Sequence, residues 1–167
     1  SIDSSPNRTI NTLRVFPNKV IMIAGGKDKG IPYDEIGPAL AEHVKVLILI
    51  GATSDKIQEA LDAEINKTGN GKDIEVIRAT SYEDAVNTAR SKAHDGDVVL
   101  LSPASTSFDM FRNFEERGNL FKKIVNELEF FHRGPSWGGF ESLISPVGAD
   151  LAQDNDTMKK GLVRMHI

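Results

Sequence analysis

The feature that most constrains this chain is the alternation of short apolar runs with longer amphipathic stretches. Three of the four runs are rich in β-branched and other large apolar residues, as strands buried on both faces are. The third run is shorter and more polar than the rest. This pattern predicts four parallel strands, at residues 19–24, 44–50, 75–79 and 97–101, of which the first two are predicted to be buried.

Apolar residues recur at helical spacing between and after these runs. Ser81 followed by Asp84 predicts a capping box at the start of the third such stretch. The order β-α-β-α-β-α-β-α predicts an α/β fold: a Rossmann-like, doubly wound, mainly parallel sheet with helices on both faces. The predicted helices lie at 33–42, 54–67, 81–93 and 116–129.

Composition excludes several function classes. The net charge is −4 and there is no cysteine, so we expect no nucleic-acid partner, no disulfide and no thiol chemistry. No apolar window is long enough for a membrane span, and residues 1–6 lack the regions of a signal peptide, so we expect a cytoplasmic protein without a membrane partner. The four histidines stand at no metal-ligand spacing, and no Gly-x-Ser-x-Gly elbow is present, so we predict neither a metal site nor catalytic residues.

Ligands in open α/β sheets bind where strands end and helices begin. The loops at these positions, 25–30, 51–54, 79–81 and 102–107, are rich in Gly, Ser and Thr. They could donate hydrogen bonds to an anion, with charge from Lys27 or Lys29, or they could simply form turns. The turn alternative is strongest for the second and third loops. The nearby acids Asp28, Asp34 and Glu35 are interpreted as helix-dipole partners.

Two segments carry a specific resemblance. The first is residues 21–30, Ile-Met-Ile-Ala-Gly-Gly-Lys-Asp-Lys-Gly. The second, within 101–118, follows Leu-Ser-Pro-Ala-x-x-Ser-x-Asp-x-Phe-x-x-Phe-x-x-Arg-Gly. Together they resemble the third, carboxy-terminal domain of Mur ligases, most nearly the D-glutamate-adding type, over about residues 1–129.

The resemblance implies ATP- and Mg-dependent chemistry in the complete ligase. The carboxylate of UDP-N-acetylmuramoyl-L-alanine (UDP-MurNAc-L-Ala) would be phosphorylated and then attacked by the amine of D-glutamate. Lys29 would pair with a D-glutamate carboxylate, with Ser4, Ser107, Phe108 and Phe114 completing the pocket. Lys29 could instead be a solvated loop lysine, and Phe114 a core residue. No Walker-type loop is present, so we expect no ligase activity from this chain and no bound cofactor.

Residues 130–167 fit a different family. The segment 136–142, Ser-Trp-Gly-Gly-Phe-Glu-Ser, and the segment 161–167, Gly-Leu-Val-Arg-Met-His-Ile, resemble the end of pyridoxal-phosphate (PLP) enzymes of the cystathionine lyase and synthase family. Ser136 and Arg164 would touch a substrate carboxylate there. That family's Schiff-base lysine motif is absent, so no PLP is expected. The chain would then be a chimera, recombined or engineered; the alternatives are a natural fusion or a misread tail.

The tail also predicts an assembly element. Residues 130–131 and 162–167 are apolar or alternating, and in the resembled family they form strands. We expect both ends to join a sheet edge or to pair with a second chain, which would make a homodimer. Two functions stay open: a ligase fragment with weak D-glutamate or nucleotide binding, and a scaffold whose only property is folding.

Overall fold

A computed structural model describes residues 3–94, 96–107, 111–131 and 164–166. One five-stranded sheet has the strand order β3-β2-β1-β4-β5, and every pairing in it is parallel. The α/β prediction and its four strands are confirmed. The strands are β1 (Val20–Ala24), β2 (Val44–Leu49), β3 (Glu75–Arg78), β4 (Val98–Leu101) and β5 (Arg164–His166). The helices are α1 (Pro6–Leu13), α2 (Ile36–His43), α3 (Ser54–Thr68), α4 (Tyr82–Lys92) and α5 (Phe114–Phe131).

Strand β1 is the centre of the sheet. Its Ile23 is paired with Ile48 of β2 on one side and with Leu101 of β4 on the other. The chain runs outward from β1 through β2 to β3, and then crosses back to place β4 on the opposite side. The topological switch point therefore lies between β1 and β4, where this class of fold binds its ligands.

The sheet is covered on both faces, as predicted. Successive residues of a strand point to opposite faces, so β1 contributes to two cores. Met22 joins the core lined by α1, α2 and α3, whereas Ile21 and Ile23 join the core lined by α4 and α5. All three side chains are fully buried.

The capping box at α4 is confirmed. The backbone N–H of Asp84 donates to the Ser81 hydroxyl at 3.0 Å. In return, the Asp84 carboxylate accepts from the backbone N–H of Thr80 at 2.9 Å, one residue earlier than the standard box.

Helix α1 was not among the predicted elements. Ser5 is extended at its N-cap and Pro6 begins the helix, which is the position where a missing backbone N–H costs nothing. Its Thr9 and Leu13 are fully buried. The pair Ser5-Pro6 could have indicated the start of a helix, but the segment after it is short and largely polar, so no helix was predicted there.

Helix α5 continues through Phe131, so the prediction that residues 130–131 form a strand is wrong. The helix is continuous across the predicted boundary at 129/130, and that division stays a prediction. The other end of the tail does form a strand: β5 pairs with the outer edge of β4. Among the residues that the structure describes, no helix is both long and apolar enough to cross a membrane.

Candidate functional site

The loops after β1 and β4 are joined at the switch point. The N–H of Gly25 donates to the Pro103 carbonyl at 2.8 Å, and the N–H of Lys27 donates to the Thr106 carbonyl at 3.0 Å. Lys27 and Thr106 also form an isolated antiparallel bridge. Two loops that lie nearly eighty residues apart in sequence therefore form one surface.

Two glycines make this close approach possible. Gly25 has φ +113°, and a Cβ there would lie 1.9 Å from the Ile50 carbonyl oxygen. At Gly26 a Cβ would lie 2.5 Å from the Thr106 carbonyl oxygen. Both contacts are with backbone that cannot move aside, so only glycine fits at either position.

A chain of buried hydroxyls links three loops. Tyr33 Oη donates to the Ala104 carbonyl at 3.1 Å and lies 2.8 Å from Ser105 Oγ, which lies 2.7 Å from Thr53 Oγ1. The Gly26 N–H donates to Thr53 at 3.0 Å. Each hydroxyl has one proton. Because the tyrosine proton is used on Ala104, Ser105 donates to Tyr33, and Thr53 donates to Ser105.

The Tyr33 phenol stays protonated within this network. Burial raises the pKa of Tyr33 above its ordinary value, and the hydrogen bond from Ser105 opposes part of that shift. Tyr33 therefore stays a neutral donor at physiological pH. Neither Tyr33 nor Thr53 was singled out from the sequence, because Ser105, the hydroxyl partner that they share, lies more than fifty residues from each of them.

Arg117 of α5 forms a hydrogen bond to the loop after β4. The Arg117 side chain has no exposed surface, and its Nη1 donates to the Ser105 carbonyl at 2.8 Å. Thr106, which follows Ser105 in the chain, is 4% exposed. Its hydroxyl has no hydrogen-bond partner among the residues that the structure describes. The loop is thus rigid at Ser105 and holds one buried hydroxyl unsatisfied.

The start of the chain is tied to the same loop. Ser102 Oγ lies 2.6 Å from Asp3 Oδ2 and 2.9 Å from Thr9 Oγ1, and all three side chains are buried. Ser102 is the donor in both contacts, so its one proton is shared between the Asp3 carboxylate and the Thr9 oxygen. Asp3 precedes Ser4, so this cluster fixes the segment that carries one of the predicted pocket residues.

Asp28 organises the turn after β1. Its Oδ1 accepts the Gly30 N–H at 2.8 Å, and its Oδ2 lies 2.7 Å from Lys56 Nζ of α3. The hydrogen bond from Lys56, with help from Gly30, lowers the pKa of Asp28. Interpreting Asp28 as a dipole partner of the following helix was wrong, because α2 begins only at Ile36 and the carboxylate binds α3 instead.

The predicted pocket residues are spread around this surface. Lys29 is exposed in the turn, Ser107 is buried next to Thr106, and Ser4 is half-buried. Phe114, the first residue of α5, is 44% exposed, so it is not a core residue.

Three predicted residues cannot be placed as side chains. Phe108 and Ser136 lie outside the described residues. Arg164 is described only as part of the backbone of β5.

The arrangement is suited to holding a small anion. It places the exposed Lys29 on the same joined surface as Ser107 and the Thr106 hydroxyl, which has no partner among the described residues. Among residues 3–94, 96–107, 111–131 and 164–166, no group of three histidine or acidic side chains could hold a metal ion. The described site therefore has binding groups but no metal centre for phosphoryl transfer.

Comparison with known proteins is consistent with this geometry. Residues 4–105 match the family described as "Mur ligase, glutamate ligase domain". UDP-N-acetylmuramoylalanine--D-glutamate ligases of Acetivibrio thermocellus and Ruminiclostridium cellulolyticum are 59% and 54% identical to the chain over 129 residues. The same-named protein of Clostridium kluyveri is 50% identical over 129 residues. Each match covers 77% of this chain and only 28% of the relative's length.

Proposed function

Because this chain belongs to the Mur ligase family through its glutamate ligase domain, we propose that it holds the D-glutamate of a UDP-N-acetylmuramoylalanine–D-glutamate ligase. The observation that carries the proposal is the bridge between Lys27 and Thr106. It brings the turn with Lys29 beside the loop with Ser107. A dicarboxylate requires such a cation together with rigid neutral donors.

The proposed pocket has Lys29 as its charged anchor. Its ammonium pairs with one D-glutamate carboxylate, and the hydroxyls of Ser107 and Ser4 donate to the same ligand. Phe114 contributes an exposed aromatic face, and Phe108 is assigned by the resemblance alone. The exposure of Lys29 supports this assignment, because the ammonium is open to a ligand.

In the complete ligase, ATP and Mg would activate the carboxylate of UDP-MurNAc-L-Ala, and this domain would orient the amine that attacks it. The described residues offer no metal-binding group, and the sequence has no Walker-type loop. We therefore propose that this chain contributes binding and closure and does not catalyse ligation alone.

The test is a titration with D-glutamate, monitored by backbone amide shifts. We expect shifts in the loops at Lys29 and Ser107, with L-glutamate as the stereochemical control. Lys29→Ala should abolish them, whereas Lys27→Ala, which removes another exposed lysine two residues away, should not. Both variants should melt like the wild type, since exposed loop lysines contribute little to folding. If millimolar D-glutamate caused no amide shifts in the loops at Lys29 and Ser107, the proposed function would be rejected and the alternative, a scaffold that only folds, would be favoured.

We also propose that residues 130–167 are a segment from a PLP enzyme joined to this domain, in a recombined or engineered chimera. The support is the resemblance at residues 136–142 and 161–167. Ser136 and Arg164 would be carboxylate-binding residues that have lost their cofactor. Incubation with PLP should give no stoichiometric Schiff base, because no lysine here lies in that family's cofactor-binding motif; preferential labelling of a single lysine would contradict this loss of the cofactor site.

A homodimer through the tail is a further part of this proposal. Pairing of β5 with β4 within one chain supports the idea that the edge of β4 accepts a strand, which a second copy could also supply. Sedimentation over a range of concentrations tests this. A monomer at all concentrations would reject the dimer.

A further inference from the structure

We infer that Asp28 and Lys56 are positioning residues for Lys29: they hold the turn so that its ammonium faces the ligand. This inference rests on the proposed function. Lys29 itself makes no hydrogen bond or ion pair among the described residues, so its placement depends on its neighbours. Asp28 and Gly30, on either side of it, are bonded to each other at 2.8 Å.

The two carboxylate oxygens of Asp28 have separate tasks. Oδ1 accepts the Gly30 N–H and closes the turn over Lys29, while Oδ2 binds Lys56 at 2.7 Å. Gly30 has φ +72°, a left-handed conformation that suits a closed turn. The first contact shapes the turn, and the second attaches it to α3.

Helix α3 is a firm platform for that attachment. Lys56 lies in its first turn, and the adjacent Ile57 is fully buried against the sheet. On the other side of Lys29, the backbone of Lys27 is bonded to Thr106. The turn is therefore held at both ends, to α3 and to the loop after β4.

Electrostatics alone predicts the opposite role for Asp28. A carboxylate beside Lys29 repels an anionic ligand, so its removal should tighten D-glutamate binding. Positioning predicts weaker binding on removal, because the ammonium would then sample many directions. The lowered pKa of Asp28, caused by Lys56 and Gly30, keeps the carboxylate charged at neutral pH, so repulsion and positioning both act on the ligand. Whether removal of Asp28 weakens or tightens D-glutamate binding therefore shows which effect is larger.

The experiment compares four variants by D-glutamate titration of the full chain. Asp28→Ala should weaken binding roughly two- to tenfold, the range of one lost hydrogen bond. Asp28→Asn should recover most of the affinity, because its amide oxygen can still accept the Gly30 N–H. Lys56→Met should give an intermediate loss. Asp34→Ala removes a nearby exposed acid that makes no such contacts, and it should bind at least as tightly as the wild type.

A second measurement needs no ligand. Amide hydrogen exchange at Gly30 should be faster in Asp28→Ala than in the wild type, and close to the wild type in Asp28→Asn. If the wild type binds and Asp28→Ala binds equally or more tightly, the positioning role is overturned. If the wild type does not bind at all, the proposed function fails, and unchanged exchange at Gly30 would then overturn the positioning role independently.

Discussion

Thr53 Oγ1 donates to Ser105 Oγ across 2.7 Å and thereby joins the loops after β2 and β4 within the buried base of the site. The same Thr53 oxygen accepts the Gly26 N–H. A single hydroxyl thus satisfies partners from two different loops. Only one residue from Ser105, the equally buried Thr106 hydroxyl has no partner among the described residues.

This contrast gives a matched pair of substitutions. Thr53→Val should lower the free energy of unfolding by about 1–3 kcal/mol, because it leaves the Gly26 N–H unsatisfied. Thr106→Val has the same shape change but removes an unpaired hydroxyl, so it should be neutral or stabilising. Urea denaturation measures both. Equal losses in the two variants would contradict the hydrogen-bond assignment.

Arg117 should be a stability determinant despite its charge. Arg117→Met retains the apolar stem but removes the donor to the Ser105 carbonyl, and it should cost about 1.5–3 kcal/mol, as for a hydrogen bond to a charged group. Exposed Arg112 provides the control, and Arg112→Met should change stability by less than about 0.5 kcal/mol. Chemical denaturation of both variants checks this, and an Arg117 loss no larger than the Arg112 loss would refute it.

Gly25 should tolerate no side chain. Gly25→Ala puts a Cβ into the Ile50 carbonyl, so the loss should be about 4 kcal/mol or more, with partial unfolding at room temperature. Gly69 also has a positive φ but meets nothing within 4 Å. Gly69→Ala should therefore cost only about 1–2 kcal/mol, the backbone term alone. Circular dichroism melting curves separate the two outcomes.

Asp28 should titrate below 3.8, its ordinary value, because Lys56 and Gly30 stabilise the carboxylate. A group whose pKa is lowered on folding binds protons less well in the folded state. Its stabilising contribution is therefore complete above 3.8 and is lost as the pH falls through the lower folded pKa. Carbon NMR of the carboxyl should show this, and Lys56→Met should move the midpoint upward. A midpoint unchanged by that substitution would exclude the ion pair.

Truncation after Phe131 should expose the outer edge of β4. Without β5, the amides of β4 should exchange faster, and stability should fall by roughly 1–3 kcal/mol, as for a few lost hydrogen bonds. Hydrogen exchange and thermal melting measure these effects. If the truncated protein had the same exchange rates, melting temperature and hydrodynamic radius as the full chain, the tail would contribute neither to stability nor to assembly, and the prediction would be wrong.

The strands were predictable because they are local signals. Residues 44–50 are apolar except for Lys45 and are rich in β-branched side chains, and such runs are typical of strands in a sheet that is covered on both faces. The tail was predictable only in part. Residues 130–131 are apolar as a strand would be, but they are the last two residues of α5.

The supports of the site were not predictable in the same way. Tyr33 and Ser105, and Asp3 and Ser102, are joined across more than seventy residues, and no periodicity reports such pairs. Arg117 looks like an ordinary charged residue near the start of a helix, yet it is fully buried. The glycine-rich loop made Lys27 and Lys29 local candidates for binding an anion, and the family resemblance selected Lys29 between them. The role of its neighbour Asp28 could not be predicted, since its partner Lys56 lies on α3, far along the sequence.

The central position of β1 bears on how the chain folds during synthesis. Strand β1 is made before its partner β4, which is completed only at residue 101. Until then a fully apolar strand has one open edge, and closing it requires a contact across nearly eighty residues. Such distant pairing slows folding, and it leaves an unpaired, aggregation-prone strand edge accessible to other nascent chains. Folding yield should therefore depend more on chaperone supply than the small size of the domain would suggest.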